Sequence, residues 1–317
     1  MSDSDRVALI IGHQGQDGTL LREQLEAEGT TVVGIGRPSA GKSLADAPIE
    51  VRDVQAVAAF LASVRPTEIY YLAGHHGSSE RMSVTGDSAD VDAAWETHVT
   101  GFQAVLDAVQ LLAPQIPVLL AASSLIYAPS DGLIDESSPL RPDTLYGLTK
   151  AAAVLLARER QKQGHLVHTF VLFPHESGLR NESFIASKIV RTAMRISAGS
   201  SERLTVGDPD AQVDWCFARD VVAAMVEVAR MDEPRELIIA NGKSFSVGLL
   251  ASEVFKRLGL DVNNHLEVRP AVLTRPSTKR VASAQRLRKT LPWWPEHDAT
   301  AFATRLLEEH RNELYSR

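Results

Sequence analysis

Apolar and polar positions follow two alternating periods along the first half of this chain. Val7-Ala8-Leu9-Ile10-Ile11 is an unbroken apolar run, as expected of a strand buried on both faces. Leu20, Leu21 and Leu25 then recur at helical spacing within Thr19 to Glu28. The alternation continues with strands at Thr31 to Ile35 and Ile49-Glu50-Val51 and a helix at Val54 to Val64, closed by Arg65-Pro66. Strand Glu68 to Leu72, one long helix Asp90 to Leu112, strand Ile116 to Ala122, helix Asp143 to Gln163 and strand Leu166 to Phe173 complete the series. Six strand-helix units in succession predict an α/β protein with a doubly wound parallel sheet. After Phe173 the pattern loosens. Asn181 as N-cap predicts a helix to about Ala198. Short strands are expected at Leu204 to Val206 and Val213-Asp214-Trp215, and a strand at Leu237 to Ala240. Helices are expected at Ala218 to Arg230, Val247 to Leu258 and Ala299 to Leu314, with a loop at Pro270 to Arg275. The division that follows is a nucleotide-binding domain over 1–173, with part of 205–245 returning to it, and a smaller mixed α/β lobe over 174–317, interleaved with it.

The first strand runs directly into Gly12-His13-Gln14-Gly15-Gln16-Asp17-Gly18 and then into a helix. That is the context of a Rossmann dinucleotide site, although the spacing is Gly-x-x-Gly-x-x-Gly rather than Gly-x-Gly-x-x-Gly. Glycines let the backbone approach a pyrophosphate, and the helix N-terminus favours its charge. Gly12, Gln14, Gly15, Gln16 and Asp17 are therefore candidate cofactor contacts. The second strand ends at Gly36-Arg37, where such folds meet the adenosine ribose. No acidic residue is present there for a ribose 2′-hydroxyl, whereas Arg37 can pair a 2′-phosphate. NADP is the favoured cofactor and NAD the alternative. Gly36 to Ser43 formally matches a triphosphatase phosphate loop. That loop must open a long helix, and here only Leu44 to Ala47 precede Pro48, so an ATPase is not expected.

Tyr146 and Lys150, four apart at the start of a helix, share one face. A phenol with a pKa of about 10 is a weak acid-base group at neutral pH, and a neighbouring ammonium favours the phenolate. Such a pair suits proton exchange with a substrate hydroxyl or carbonyl. Ser123, with Ser124 beside it, ends the fifth strand, where ligands sit in doubly wound sheets. Its hydroxyl is placed to share a substrate oxygen with Tyr146. His75 and His76 are adjacent, lack ligand spacing and have no Cys or carboxylate cluster with them, so no metal is expected. Lys188, Arg191 and Arg195 form a cationic stripe suited to a diphosphate, beside the apolar stripe Ile185, Ile189 and Ile196.

The net charge of −7 argues against nucleic-acid or membrane-surface partners. The single Cys216 excludes an internal disulfide and fits a reducing cytoplasm. Met1-Ser2-Asp3-Ser4-Asp5 does not read as a signal peptide, and no apolar run approaches the ~18 residues of a membrane span.

These residues together resemble an extended short-chain dehydrogenase/reductase acting on nucleotide sugars, and within it the GDP-mannose 4,6-dehydratase group. Gly-Gln-Asp-Gly at Gly15 to Gly18, His175-Glu176-Ser177, Ser123 with Tyr146 and Lys150, Asp214-Trp215 and Leu291-Pro292-Trp293 carry the resemblance. It implies that the glycine turn and Arg37 hold NADP, that Asp53 and Val54 flank the adenine, and that Leu72, Ala73, Gly74, His75 and His76 line the cofactor's middle. It also implies that His175 and Arg180 sit by the cofactor and that Lys188 meets the substrate phosphates. His76, Ser124, Glu176, Lys188 and Arg191 are the candidate substrate contacts, and a nucleotide-diphosphate sugar the expected partner. The long helices of relatives pair across a dimer, which implies a homodimer or homotetramer.

Three departures bear on the reaction. A 4,6-dehydratase uses a Glu two residues before the strand-end Tyr, here Tyr127, to remove the C5 proton; that position holds Leu125. The Arg expected before Asp214 is Val213, and Pro174 and Gly178 replace the Asn and Pro that flank His-Glu-Ser. The reading that follows is an NADP-dependent oxidoreductase at C4 of a GDP-linked sugar, foremost a 4-keto-6-deoxysugar reductase. A dehydratase whose base is His75, His76 or Glu176, an epimerase, and a non-catalytic NADP sensor are the alternatives.

Overall fold

The computed structural model describes residues 6–36, 46–47, 53–74, 88–273 and 279–315. Seven parallel strands form its central sheet, in the order Glu236–Ile239, Val167–Leu172, Val118–Ser123, Glu68–Tyr71, Val7–Ile11, Thr31–Ile35 and Asp46–Ala47. From Val7–Ile11 the chain builds outward to one edge, then crosses to Glu68–Tyr71 on the other side. This reversal opens a crevice at the C-terminal ends of those two strands. The apolar run of the first strand divides by alternation. Leu9 and Ile11 join a core with Val57, Phe102, Val105 and Val154 on one face. Ala8 and Ile10 join Leu21, Leu25, Val221 and Met225 on the other. Both faces are covered by helices, which is why these strands read as continuous hydrophobic segments.

A third core belongs to the C-terminal lobe. Ile189, Val190, Trp215, Phe217, Phe245, Leu250, Phe255 and Phe302 pack together there. Phe217 and Phe302 stack with centroids 4.6 Å apart. After this core begins, Glu236–Ile239 returns to pair with Val167–Leu172 in parallel. No helix among the described residues is long and apolar enough to cross a membrane.

Several elements differ from the sequence expectation, each for a local reason. The sheet's edge strand is Asp46–Ala47, pairing with Gly34 and Ile35. A strand there also rules out the helix a triphosphatase loop would open; Ile49 to Val51 lie outside the described residues. The long helix is continuous but not uniform, since a π-helical turn at Glu96–Thr100 separates Ser88–Trp95 from Gly101–Leu112. Asn181 does not cap a helix. Its side chain accepts from the Ser183 N–H in a local turn, and the helix begins at Ile185 with Phe184 at the cap. The strand expected at Val213 to Trp215 splits into Gln212–Val213 and Cys216–Phe217. Asp214 lies between them, accepting from the N–H groups of Asn241, Gly242 and Ala282. The short helix Gln285–Thr290 has no apolar period to betray it.

Candidate active site

The glycine turn meets the crevice with each glycine in a different role. Gly12 has φ +94°, and a Cβ on it would stand 2.7 Å from the Ala73 nitrogen, so the turn abuts the end of the Glu68–Tyr71 strand. A Cβ on Gly18 would lie 2.5 Å from His13 Cα, which keeps the Gln16–Ala27 helix close to the turn. Gly15 is the bare one. Its nearest neighbour would be the Gly12 carbonyl at 3.5 Å, and it lines the cleft. A tight turn, close packing and an open backbone approach are what a pyrophosphate cradle requires. The residues present therefore fit a dinucleotide.

From this cradle a cleft of about 450 Å³ runs to the C-terminal lobe. Gly15, Gln16, Asp17, Leu72, Gly74, Ser123, Ser124, Tyr146, Lys150, His175, Glu176 and Arg180 all line it. Thr144 caps the Leu145–Lys162 helix by accepting from the Gly147 N–H, which presents Tyr146 on its first turn. Gly147 is required there, because a Cβ would come within 2.2 Å of the Leu125 carbonyl oxygen. The Ser123 hydroxyl hydrogen-bonds the Tyr146 phenol. Behind the phenol ring stands His98 of the π turn, edge-on at 5.2 Å and hydrogen-bonded to Thr149 Oγ1 at 2.7 Å. Single π turns often mark functional sites, and this one backs the Tyr146 phenol.

The electrostatics depart from the simple pairing of Tyr146 with Lys150. Lys150 Nζ donates to the carbonyls of Ala121 at 2.8 Å and Ala73 at 3.2 Å, and lies 5.9 Å from the Tyr146 ring centroid. Burial lowers its ammonium to about 7. Burial raises the Tyr146 phenol to about 12, opposed by the Arg180 guanidinium and the Ser123 hydrogen bond. The Arg180 guanidinium thus favours the phenolate as well. Arg180 stacks on Phe184 at 3.7 Å and its Nε lies 3.9 Å from Glu176 Oε2. Burial pushes the Glu176 carboxyl above its ordinary range, and Arg180 holds it back.

The two segments Gln16-Asp17 and His175-Glu176-Ser177 bind each other. His175 Nε2 lies 3.0 Å from both Asp17 oxygens, and its Nδ1 lies 2.8 Å from the Phe173 carbonyl. A carbonyl and a carboxylate only accept, so both ring nitrogens donate and the ring is an imidazolium. Burial works against this charge, but Asp17 outweighs it and raises the His175 pKa above the usual imidazole value. The Asp17 carboxyl is itself buried, yet the His175 charge lowers it to about 2. Ser177 donates to Gln16 Oε1 at 2.8 Å.

Other expected site residues stand elsewhere. Asp53 caps the Val54–Val64 helix, accepting from Gln55 and Ala56, and neither Asp53 nor Val54 lines the cleft. Ala73 reaches the site only through its carbonyl. Gln14 packs by Gly36 at the end of the second strand. Lys188 and Arg191 do not line the cleft. Arg191 is turned to Ser187 Oγ and the Gly178 carbonyl, and Arg195 is held by Glu182 and Glu202. Arg195 does not line the cleft either. Arg37, His75 and His76 lie outside the described residues. One lining cation had no sequence signal. Arg280 bridges to Val213, and its guanidinium holds the Tyr127 carbonyl and the Asp143 carboxylate.

Comparison with known proteins places this geometry. A family model described as GDP-mannose 4,6 dehydratase matches residues 9–305. GDP-mannose 4,6 dehydratase of Homo sapiens is 30% identical over 281 residues, covering 82% of this chain and 74% of that protein. Two solved structures superpose over nearly the whole length. A putative epimerase from Burkholderia cenocepacia has a TM-score of 0.81 at 20% identity, covering 98% of this chain and 100% of its own. RMD from Pseudomonas aeruginosa, complexed with NADPH, has a TM-score of 0.78 at 18% identity, covering 97% and 99%.

Proposed function

The chain belongs to the GDP-mannose 4,6 dehydratase family, and from that premise we propose that it is an NADP-dependent oxidoreductase acting at C4 of a GDP-linked sugar, as a 4-keto-6-deoxysugar reductase. One observation carries the choice of reaction. The Ser123–Tyr146 pair is assembled, while Leu125, in the same cleft, offers only hydrocarbon where a dehydratase needs a base for C5. Reduction of a ketone needs no such base.

When bound, the nicotinamide would supply the hydride. The chain's own residues do the rest. Ser123 orients O4 by its hydroxyl, and Tyr146 gives that oxygen a proton. A phenol at about 12 is protonated at neutral pH, the state a proton donor must start from. Lys150, which donates to two carbonyls at the strand ends, would bind the nicotinamide ribose. Gly12, Gly15 and the first turn of the following helix would hold the pyrophosphate. The NADPH complex of the Pseudomonas neighbour supports the choice of NADP. The test is to mix the protein with NADPH and a GDP-4-keto-6-deoxyhexose and follow NADPH absorbance together with the sugar product by NMR. Oxidation of NADPH matched to a 4-hydroxy product supports the reading; loss of water from GDP-mannose without net NADPH consumption overturns it.

Glu176 favours a second reading, a dehydratase with a relocated base. Its carboxyl is buried in the cleft, raised in pKa, and its Oε2 has no hydrogen-bond partner. Assembly is also part of the proposal. Trp95, Leu148 and Leu155 are 44%, 51% and 56% exposed on the two long helices, an apolar face suited to a second copy in a homodimer or homotetramer.

A further inference from the structure

Ser123 and Tyr146 belong to two separate segments, and a third segment joins them. Ser123 ends its strand and caps the Ser124–Ile126 turn, its Oγ accepting from the Leu125 N–H at 3.3 Å. Tyr146 stands on the first turn of the Leu145–Lys162 helix. The two segments touch where Gly147 meets the Leu125 carbonyl, with no room for a methyl group between them. Arg280 then reaches both. Its Nε donates to the Tyr127 carbonyl at 3.0 Å, just past the turn. Its Nη2 donates to the two Asp143 oxygens at 3.0 and 2.9 Å, just ahead of the Thr144 cap. One planar guanidinium therefore spans the end of the Ser123 segment and the start of the Tyr146 segment.

Arg280 is itself held from behind. Val281–Ala282 pairs in parallel with Leu133–Ile134, Ala282 N–H donates to Asp214 Oδ2 at 3.1 Å, and the Lys279 carbonyl accepts from Ser130 N–H. The Arg280 side chain is 8% exposed, against 42% for Asp143. Taking a guanidinium out of water opposes the attraction it gains, so such a pair is a poor source of stability. What it supplies here is registry: a charge-assisted contact of fixed geometry between two segments that must keep their spacing. We propose that Arg280 is a positioning residue that clamps the Ser123 segment to the Tyr146 helix and so sets the distance between the two hydroxyls. The inference rests on the reading above that these hydroxyls share the substrate oxygen.

The experiment compares wild type, Arg280→Met, Asp143→Asn and the double variant. Methionine keeps hydrocarbon in the same place, and water can reach the Asp143 left behind, so Arg280→Met should fold; urea unfolding checks this. Hydrogen exchange followed by mass spectrometry should speed by about tenfold at residues 124–127 and 145–149 in Arg280→Met and stay unchanged over 12–18. In NADPH-linked reduction of a GDP-4-keto-6-deoxyhexose, kcat should fall by about tenfold to a hundredfold, the cost of misplaced reacting groups, with KM and NADPH affinity within about threefold. Asp143→Asn should give part of the same loss. The double variant should match Arg280→Met, because both changes break one contact. An unchanged kcat, or a raised KM at unchanged kcat, would overturn the inference. Faster exchange throughout the chain would show a merely structural role, and multiplied losses in the double variant would show that the two residues act apart; either overturns it as well. A wild type without turnover would remove the reaction proposed above, and the exchange result alone would then decide the clamp.

Discussion

The cleft has two halves of different construction. Its inner half, at the sheet's C-terminal edge, is polar and fully tied: Ser123 to Tyr146, Lys150 to two carbonyls, Asp17 to His175. Its outer half is largely hydrocarbon, with Leu125, Val206, Val213, Val247 and Leu273 among its lining. Arg280 there already answers Asp143. The inner half holds the groups that the proposed hydride exchange would use. The outer half sets Leu125 and Val213 where the family resemblance leads one to expect Glu and Arg. A proposal about one half therefore cannot be carried over to the other.

The largest effect that would break this contrast lies in the inner half. Tyr146→Phe should lower kcat by about a hundredfold to ten-thousandfold, the range for losing a general acid. NADPH binding by calorimetry should change little, and an unaltered rate would remove the phenol from the mechanism. Next is the buried ion pair. Asp17→Ala leaves an imidazolium without its counter-charge and should cost about 3–5 kcal/mol in urea unfolding.

The pair also sets a pH window. The Asp17 carboxyl is depressed to about 2, so its contribution is present above the ordinary carboxylate range and fades as pH falls toward that value. The His175 pKa is raised, so its contribution is full below the ordinary imidazole value and fades as pH rises through the raised one. Stability relative to Asp17→Asn should therefore be greatest between about pH 4 and 6.5. A flat difference across pH would show that the pair is not charged.

A smaller effect sharpens the outer half. Leu125→Glu should cost about 1–3 kcal/mol, because the side chain is buried, and should introduce solvent deuterium at C5 of the bound 4-keto sugar. The wild type should show none; deuterium uptake by the wild type would point instead to Glu176. Smallest of all is Lys188→Ala. Because that side chain is off the cleft, KM for the nucleotide sugar should stay within about twofold. A tenfold rise would return the stripe to the substrate.

What could be read from the sequence follows from what sequence patterns encode. The sheet strands were legible because burial on both faces leaves an unbroken apolar run, as in Val7 to Ile11. Two-residue strands such as Cys216–Phe217 carry no period at all. The positions of Ser123 and Tyr146 were legible because a strand end and a helix start fix them. The partners of Lys150 were not, since they are backbone carbonyls of Ala73 and Ala121, which every residue possesses. Helical spacing placed Lys188, Arg191 and Arg195 on one side of their helix but not toward the cleft. That depends on how Ile189 and Val190 dock into the lobe's core. Arg280 enters through a bridge to Val213, a tertiary contact no local motif announces.

The lock between Gln16-Asp17 and His175-Ser177 has a consequence for how this protein can be altered. Two stretches some 160 positions apart have become a single unit of inheritance. A chimaera that grafts on the N-terminal turn of a cousin lacking Gln-Asp would strand a protonated ring in the interior. The graft should be recovered only when the segment around His175 is transplanted with it.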